Sequence, residues 1–431
     1  MEQNRIKNFA QLATTDNRKL ALLVAEAGLE SLDTGKVIAR SLSLDGDILK
    51  IMGEAFDLAK FKNIKVVGFG KASCAGALAL EKILGSKIQE GAVIGLDKIQ
   101  CEYIETFAGT HPKPSTVNIE AGKKIFEMVK NSSADDLIIA LVSGGGSALL
   151  CSSKKECEQG IALYDSFLSS GKTRKDMNTV WKHLSILKGG GLAKIAYPAT
   201  VIGLIFSDIP GNNFENVASG STYRDLSTVG DAQKIIAENN LGDYELIETP
   251  KEDKYFEKVH NFVLVSNKTA TAAMAEQAKN LGLRAKIIST ELYDEMPQAL
   301  EKIFSAQQNN IVVIAAGEPK IKVPERHGRG GRNLHMSLMA LNMGKLEKGE
   351  VFIALASDGL DNSDAAGAII DESSIKKMKD LDLDGEVYQN GFNSYDFFKK
   401  TDDMIMTGPT GANVADLFLL LTREQGESSL N

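Results

Sequence analysis

Residues 137–150 set the terms for the whole chain. An unbroken apolar run, 137–142, is followed at once by Ser143, three glycines and Ser147, then by Ala148, Leu149 and Leu150. A run this short with no polar face fits a strand buried on both sides, as in a parallel sheet covered by helices. Gly144, Gly145 and Gly146 let the backbone bend and approach a ligand closely. Ser147 stands where an N-cap would stand before an apolar helical start. Strand, glycine turn and helix N-terminus together make an anion site of converging N–H groups, reinforced by the helix dipole. The same residues also suit a plain strand-to-helix turn.

The device recurs along the chain. Asn63–Phe69 is a second apolar run, followed by Gly70, Lys71, Ala72 and Ser73 and an apolar helix reaching Leu84. Gly68-x-Gly70-x-x-Ser73 is similar to a dinucleotide fingerprint that lacks its third glycine. Lys71, just inside the turn, is placed either to enter the ligand crevice of an open α/β sheet or to be solvated. Pro112 and Pro114 stiffen residues 109–115 and exclude helix there. His111 in that loop either binds a ligand or holds the turn, and Ser115 caps a helix over 116–129. Residues 178–193 read as one helix ending at three glycines. Thr200–Phe206 is a buried strand, and Asp208 beyond its end is a candidate Mg²⁺ ligand or a turn-forming carboxylate.

A Glu- and Lys-rich stretch, 244–261, reads as the surface connection between domains. The alternation then restarts. Strands are expected at 263–265, 284–288, 311–315 and 351–356. Helices are expected at 270–281, with Asn267 at the mouth, at Met296–Ser305 and up to Leu341. Glu318 follows Gly317, and 320–323 suits a hairpin or edge strand. Gly328, Arg329, Gly330, Gly331 and Arg332 place planar guanidinium forks beside permissive backbone. Asp358, Asp361 and Asp364 suit a metal or a hydrogen-bond network, but not EF-hand spacing. Residues 407–413, ending in Asn413, cap a last helix over 414–421. Residues 3–30 read as an amphipathic helix packed on a domain.

With 431 residues, two domains are expected. A net charge of −8 and the lack of Lys/Arg runs argue against a nucleic-acid partner. The four cysteines lack CxxC spacing and read as reduced thiols. No long apolar stretch marks a signal peptide or a membrane span, so a cytoplasmic protein is expected. The fold class expected is α/β, with two domains that are each a mostly parallel sheet covered by helices and an active-site cleft between them. The domains are placed at 1–245 and 260–431.

Glycine turns, cations and carboxylates at strand ends are the parts that phosphoryl transfer requires. The common signatures fail, however. Gly171-Lys172-Thr173 lacks the first glycine of a P-loop, and Leu149 breaks a G-x-S-x-G elbow around Ser147.

Taken together, VVGFGKAS, GTHPKPS, LVSGGGSALL, KHLSILKGGGLA, SDIPGN, GEP, GRGGRN, SDGLDNSDAAGAIID and TGPTGANVADL run in one order from Val66 to Leu417. In these motifs the chain resembles the class II glycerate kinases, whose C-terminal part is called the MOFRL domain. The resemblance implies ATP- and Mg²⁺-dependent phosphorylation of D-glycerate to 2-phosphoglycerate. It implies Lys71 and Arg332 as the catalytic pair, and on physical grounds Lys71 is expected to neutralise the transferring phosphoryl and Arg332 to hold phosphate or the glycerate carboxylate. Ser73, His111, Ser143, Gly144, Gly145, Gly146, Ser147, Asn267, Asp358 and Asn413 are then expected to bind nucleotide or substrate. Asp208 and Glu318 are expected at the metal. The partners expected are the acid and the nucleotide, with a homodimer as the candidate assembly. Trp181, Asn212, Ser221 and the pair Leu334-His335 depart from the family pattern. Two other readings stand beside this one: a hydroxypyruvate reductase using NAD(P)H, and a non-catalytic sugar-acid or phosphate binder.

Overall fold

The computed structural model describes residues 4–170, 174–209 and 213–423. Gly171-Lys172-Thr173, Pro210, Gly211 and Asn212 lie outside the described residues. The chain separates into two compact units. One is Thr34–Val265. The other combines the segment up to Asp33 with everything from Ser266 onward. The expected boundary therefore needs correcting at both ends. The N-terminal helix belongs to the C-terminal unit, and residues 244–261 are not a connection, since they lead into Val259–Val265, the last strand of the first sheet.

In the unit Thr34–Val265, six strands lie in the order Ile104–Ala108, Glu90–Gly95, Asn63–Phe69, Asp136–Ser143, Thr200–Phe206, Val259–Val265. Every pairing is parallel. Asp136–Ser143 is buried at all eight positions, as a central parallel strand must be. Phe69, Ile94, Ile138, Val142 and Ile205 share one core with helix residues Ala121 and Ile125. Full burial of an aliphatic or aromatic side chain of this kind contributes roughly 1.5–3 kcal/mol. The strand order reverses direction between Asn63–Phe69 and Asp136–Ser143. The turns leaving those two strands therefore open side by side at a topological switch point, with Phe69 opposite Val142. A small antiparallel sheet, Leu42–Asp45, Ile48–Ile51 and Glu54–Asp57, was not foreseen.

The expected helix over 178–193 is broken. Arg174–Lys182 ends, an irregular stretch follows, and a second helix starts at Gly191. Gly189 and Gly190 take φ of +55° and +86°, which no helix interior allows. Trp181 packs in a side core with Leu163, Val180, Leu184 and Leu241.

The second unit departs from the expected mostly parallel sheet. Its order is Arg284–Leu292, Ile311–Gly317, Asp416–Thr422, Glu350–Ala356, Gly367–Asp371, Met404–Ile405. Only the first pair is parallel, and the rest are antiparallel. The expected final helix is in fact Asp416–Thr422, a central strand of this sheet. Five apolar residues in a row, Leu417 to Leu421, all buried, read the same in either state without their partners. Residues 320–323 form no strand, and only an isolated bridge joins Lys320 to Glu295. The N-terminal segment contains two helices, Phe9–Leu12 and Asp16–Glu30. Asp16–Glu30 packs on the helix Asn267–Asn280 and on Glu350–Ala356. Its Arg18 is buried, donating to Asp371 at 2.9 Å and to Asp403 at 2.7 Å. Among the described residues no helix is long and apolar enough to cross a membrane.

Candidate active site

In the first unit, two turns interlock at the switch point. Gly70 takes φ +127°, and a Cβ there would overlap Ser143. Lys71 N donates to Gly144 O at 2.9 Å, and Ala72 N donates to Ser143 Oγ at 3.1 Å. Ser73 Oγ donates to Leu141 O at 3.1 Å and lies 3.1 Å from Ser143 Oγ. Both serines are buried. Ser73 and Ser143, expected to bind nucleotide or substrate, have their hydroxyls turned inward, where they brace the two turns.

What the turns present outward is different. Gly145 has φ +79° and caps a helix of four residues, Gly146–Leu149. Ser147 is thus inside the helix, not its N-cap. A helix that short adds little dipole, so anion affinity must come from local N–H groups and side chains. A Cβ on Gly145 would lie 3.2 Å from the His111 ring and 3.2 Å from Lys71 Cγ. A Cβ on Gly144 would overlap the Asp208 carboxylate. Glycine at both positions allows Lys71, His111 and Asp208 to gather on one turn. Lys71 and Asp208 are half-buried, and His111 is exposed.

Behind the turn runs a polar chain that sequence reasoning missed. The hydroxyls of Ser147 and Ser219 share a hydrogen bond of 2.7 Å, and Ser219 donates to Asn178 Oδ1 at 2.7 Å. Asn178 and Lys182 both donate to Asn216 Oδ1, and Lys182 also pairs with Asp225 at 3.2 Å. Ser219 sits in a run of left-handed residues, Ala218, Ser219 and Gly220. Non-glycine residues held there store backbone strain. Asn178 and Lys182 share a face one turn apart on a helix, which is the only sequence signal available.

In the second unit, Asp416 opens the central strand with Gly317 on one side and Ala356 on the other. That register brings together the strand ends carrying Glu318, Asp358 and Asn413. Arg332 Nη1 donates to Asp416 Oδ2 at 2.6 Å, and Glu318 adds to the field that holds Arg332 protonated. Asn333 Nδ2 donates to Asp416 Oδ1 at 2.8 Å and to Asp361 Oδ1 at 3.1 Å. Asp361 also accepts from Asn333 N and Leu334 N, capping the helix Arg332–Asn342. Burial pushes the Asp416 carboxyl up to about 7 even beside Arg332, and raises Asp361 as well.

The aspartate-rich turn is thus a hydrogen-bond network. Asp364 accepts from Arg329, whose guanidinium lies 3.8 Å above the Tyr395 ring. Ser357 Oγ, at the strand end, donates to Asn413 Oδ1 at 3.5 Å, and Thr410 Oγ1 donates to Ser357 O at 2.6 Å. Asn267 is fully buried at the start of the helix Asn267–Asn280 and donates to Thr290 O. Among the described residues no three His, Cys, Asp or Glu side chains form a ready metal cage.

A parallel sheet with a glycine turn, a lysine and a carboxylate at its switch point defines a phosphate-handling α/β protein. Residues 20–249 match a domain of unknown function (DUF4147), and residues 311–416 match the MOFRL family. The glycerate 2-kinase of Pyrococcus horikoshii is 31% identical over 96% of this chain and 99% of its own. A protein of Agrobacterium vitis named putative hydroxypyruvate reductase is 35% identical over 83% and 86%. The crystal structure of glycerate kinase from Thermotoga maritima superposes with a TM-score of 0.82 at 29% identity, covering 94% of this chain and 99% of that one. The chain belongs to the class II glycerate kinase family.

Proposed function

We propose that this protein transfers the γ-phosphoryl of ATP to D-glycerate, yielding 2-phosphoglycerate. The observation that carries the reading is the glycine turn at the switch point, with Lys71, His111 and Asp208 gathered on it. The relatives named as glycerate 2-kinases support the choice of substrate.

The chain's own residues divide the work by charge. The ammonium of Lys71 meets the negative charge spread over the transferring phosphoryl, and the N–H groups of the glycine turn add fixed dipoles. His111 offers a ring nitrogen to the same oxygens. Arg332 offers its remaining donors to a phosphate or to the glycerate carboxylate. Asp358 and Asn413 supply polar contacts at their strand ends.

Mg²⁺ in such sites takes one or two carboxylates plus phosphate oxygens and keeps several waters, so it needs no protein cage. Asp208, lying over Gly144, fits that requirement. Glu318, beside Arg332, fits better as a counter-charge than as a ligand. When bound, the cation neutralises charge between the phosphates.

The reductase name carried by one relative has a structural test. A dinucleotide pyrophosphate at the Gly68–Ser73 turn would need free N–H groups there. Those of Lys71 and Ala72 are already bonded to Gly144 and Ser143, and Ser73 replaces the third glycine. With MgATP and D-glycerate the protein should release ADP and 2-phosphoglycerate. With hydroxypyruvate and NADH it should leave absorbance unchanged. ADP release no faster than without glycerate would overturn the proposal, and oxidation of NADH would favour the reductase. Asp208→Asn should raise the Mg²⁺ concentration needed for half-maximal rate by about tenfold.

A further inference from the structure

Asn118 is fully buried, and both ends of its amide are used. Its Oδ1 accepts from Thr110 N at 3.0 Å, Ser115 N at 3.0 Å and Ser115 Oγ at 3.1 Å. Its Nδ2 donates to Thr110 O at 3.2 Å and to Leu149 O at 3.2 Å. The capping box of the helix Thr116–Lys130 requires only the acceptor half. The donor half does something else. It ties the residue before His111 to the last turn of Gly146–Leu149, the helix that the glycine turn opens.

We infer that Asn118 is a positioning residue of the phosphoryl-transfer site, holding the His111 ring at its height over Gly145. The inference rests on the proposed role of His111. A carboxylate of the same shape keeps the acceptor bonds and loses both donor bonds. Asn118→Asp therefore keeps the helix cap and the bond from Thr110 N, and breaks only the bridge between Thr110 O and Leu149 O.

The test is a double-mutant cycle with His111→Ala. Asn118→Asp should lower kcat/KM for D-glycerate by about tenfold when His111 is present. It should lower it by less than about twofold when His111 is alanine. The shift in melting temperature should be the same in both backgrounds. Equal kinetic losses in the two backgrounds, or a His111→Ala protein with normal turnover, would overturn the inference. A second readout needs no activity. The imidazole signals of His111, assigned by their loss in His111→Ala, should move in Asn118→Asp while those of His260 and His327 stay in place. Unmoved His111 signals also overturn it. If the parent protein fails to phosphorylate glycerate, the kinase reading falls, and the imidazole signals still decide the positioning role. Should Asn118→Asp not fold, Asn118→Ser, which breaks cap and link together, is compared with Ser115→Ala, which weakens the cap alone, and a kinetic loss no larger in Asn118→Ser than in Ser115→Ala overturns the inference.

Discussion

Arg332 and Asp416 sit 2.6 Å apart, Nη1 to Oδ2, and the second oxygen of the same carboxylate is held by Asn333. Burial nevertheless lifts Asp416 from 3.8 to about 7. A carboxyl raised on folding takes up a proton as the chain folds between those values. Its stabilisation is complete below pH 3.8 and is lost as pH rises through about 7. Asp416→Asn should remove that part of the pH slope. Urea midpoints at pH 5 and pH 8 measure it, and an unchanged slope in the variant would rule the assignment out.

His335 works in the opposite direction. Burial lowers it from 6.5 to about 4, with its ring stacked 4.5 Å from that of Phe392. Its stabilisation is full above pH 6.5 and is lost as pH falls through about 4. The most it can contribute is ~3 kcal/mol. His335→Gln should unfold less steeply with acid over that window, as followed by circular dichroism.

Lys71→Ala should lower kcat by about 10²-fold, the scale for losing a charge donor to the transition state. The melting temperature should hold, because Lys71 is half-buried and its backbone supplies the bond to Gly144. Near-normal turnover would remove its ammonium from the chemistry.

Lys188 and Glu156 form a buried pair at 2.7 Å, and Lys188 also donates to Leu150 O just behind the glycine turn. Lys188→Met should cost ~3–5 kcal/mol, because it leaves Glu156 buried without a partner. Adding Glu156→Gln should restore most of that loss. If the double variant is no more stable than Lys188→Met, the cost has another source.

The parallel half of the molecule was readable from local pattern. Asn63–Phe69 and Thr200–Phe206 come out at their expected bounds, because apolar runs flanked by glycine turns describe buried parallel strands. The antiparallel half was not. Residues 416–422 pair with strands that begin some hundred and some sixty-five residues earlier, and nothing local announces those partners. That misreading hid Asp416, whose role depends on lying between Gly317 and Ala356. The glycine turn with Lys71 was visible as a motif. The inward use of Ser73 and Ser143 was not, since a hydroxyl in a glycine turn looks the same whether it faces solvent or a neighbouring carbonyl. Asn118, Asn178 and Ser219 make hydrogen bonds to distant segments, and the local spacings of Asn118 with Ser115 and of Asn178 with Lys182 announce none of those partners.

The discontinuous second unit has a consequence during synthesis. The helix Asp16–Glu30, whose buried residues include Leu22, Val24 and Ala25, is made well before Asn267–Asn280 and Glu350–Ala356, the elements it packs against. At ~5–20 residues per second that interval is on the order of tens of seconds. Throughout it the unit Thr34–Val265 can complete its own sheet, while the apolar helical face before it waits for its cover. The buried pairs of Arg18 with Asp371 and Asp403 can likewise close only after those two residues have been made.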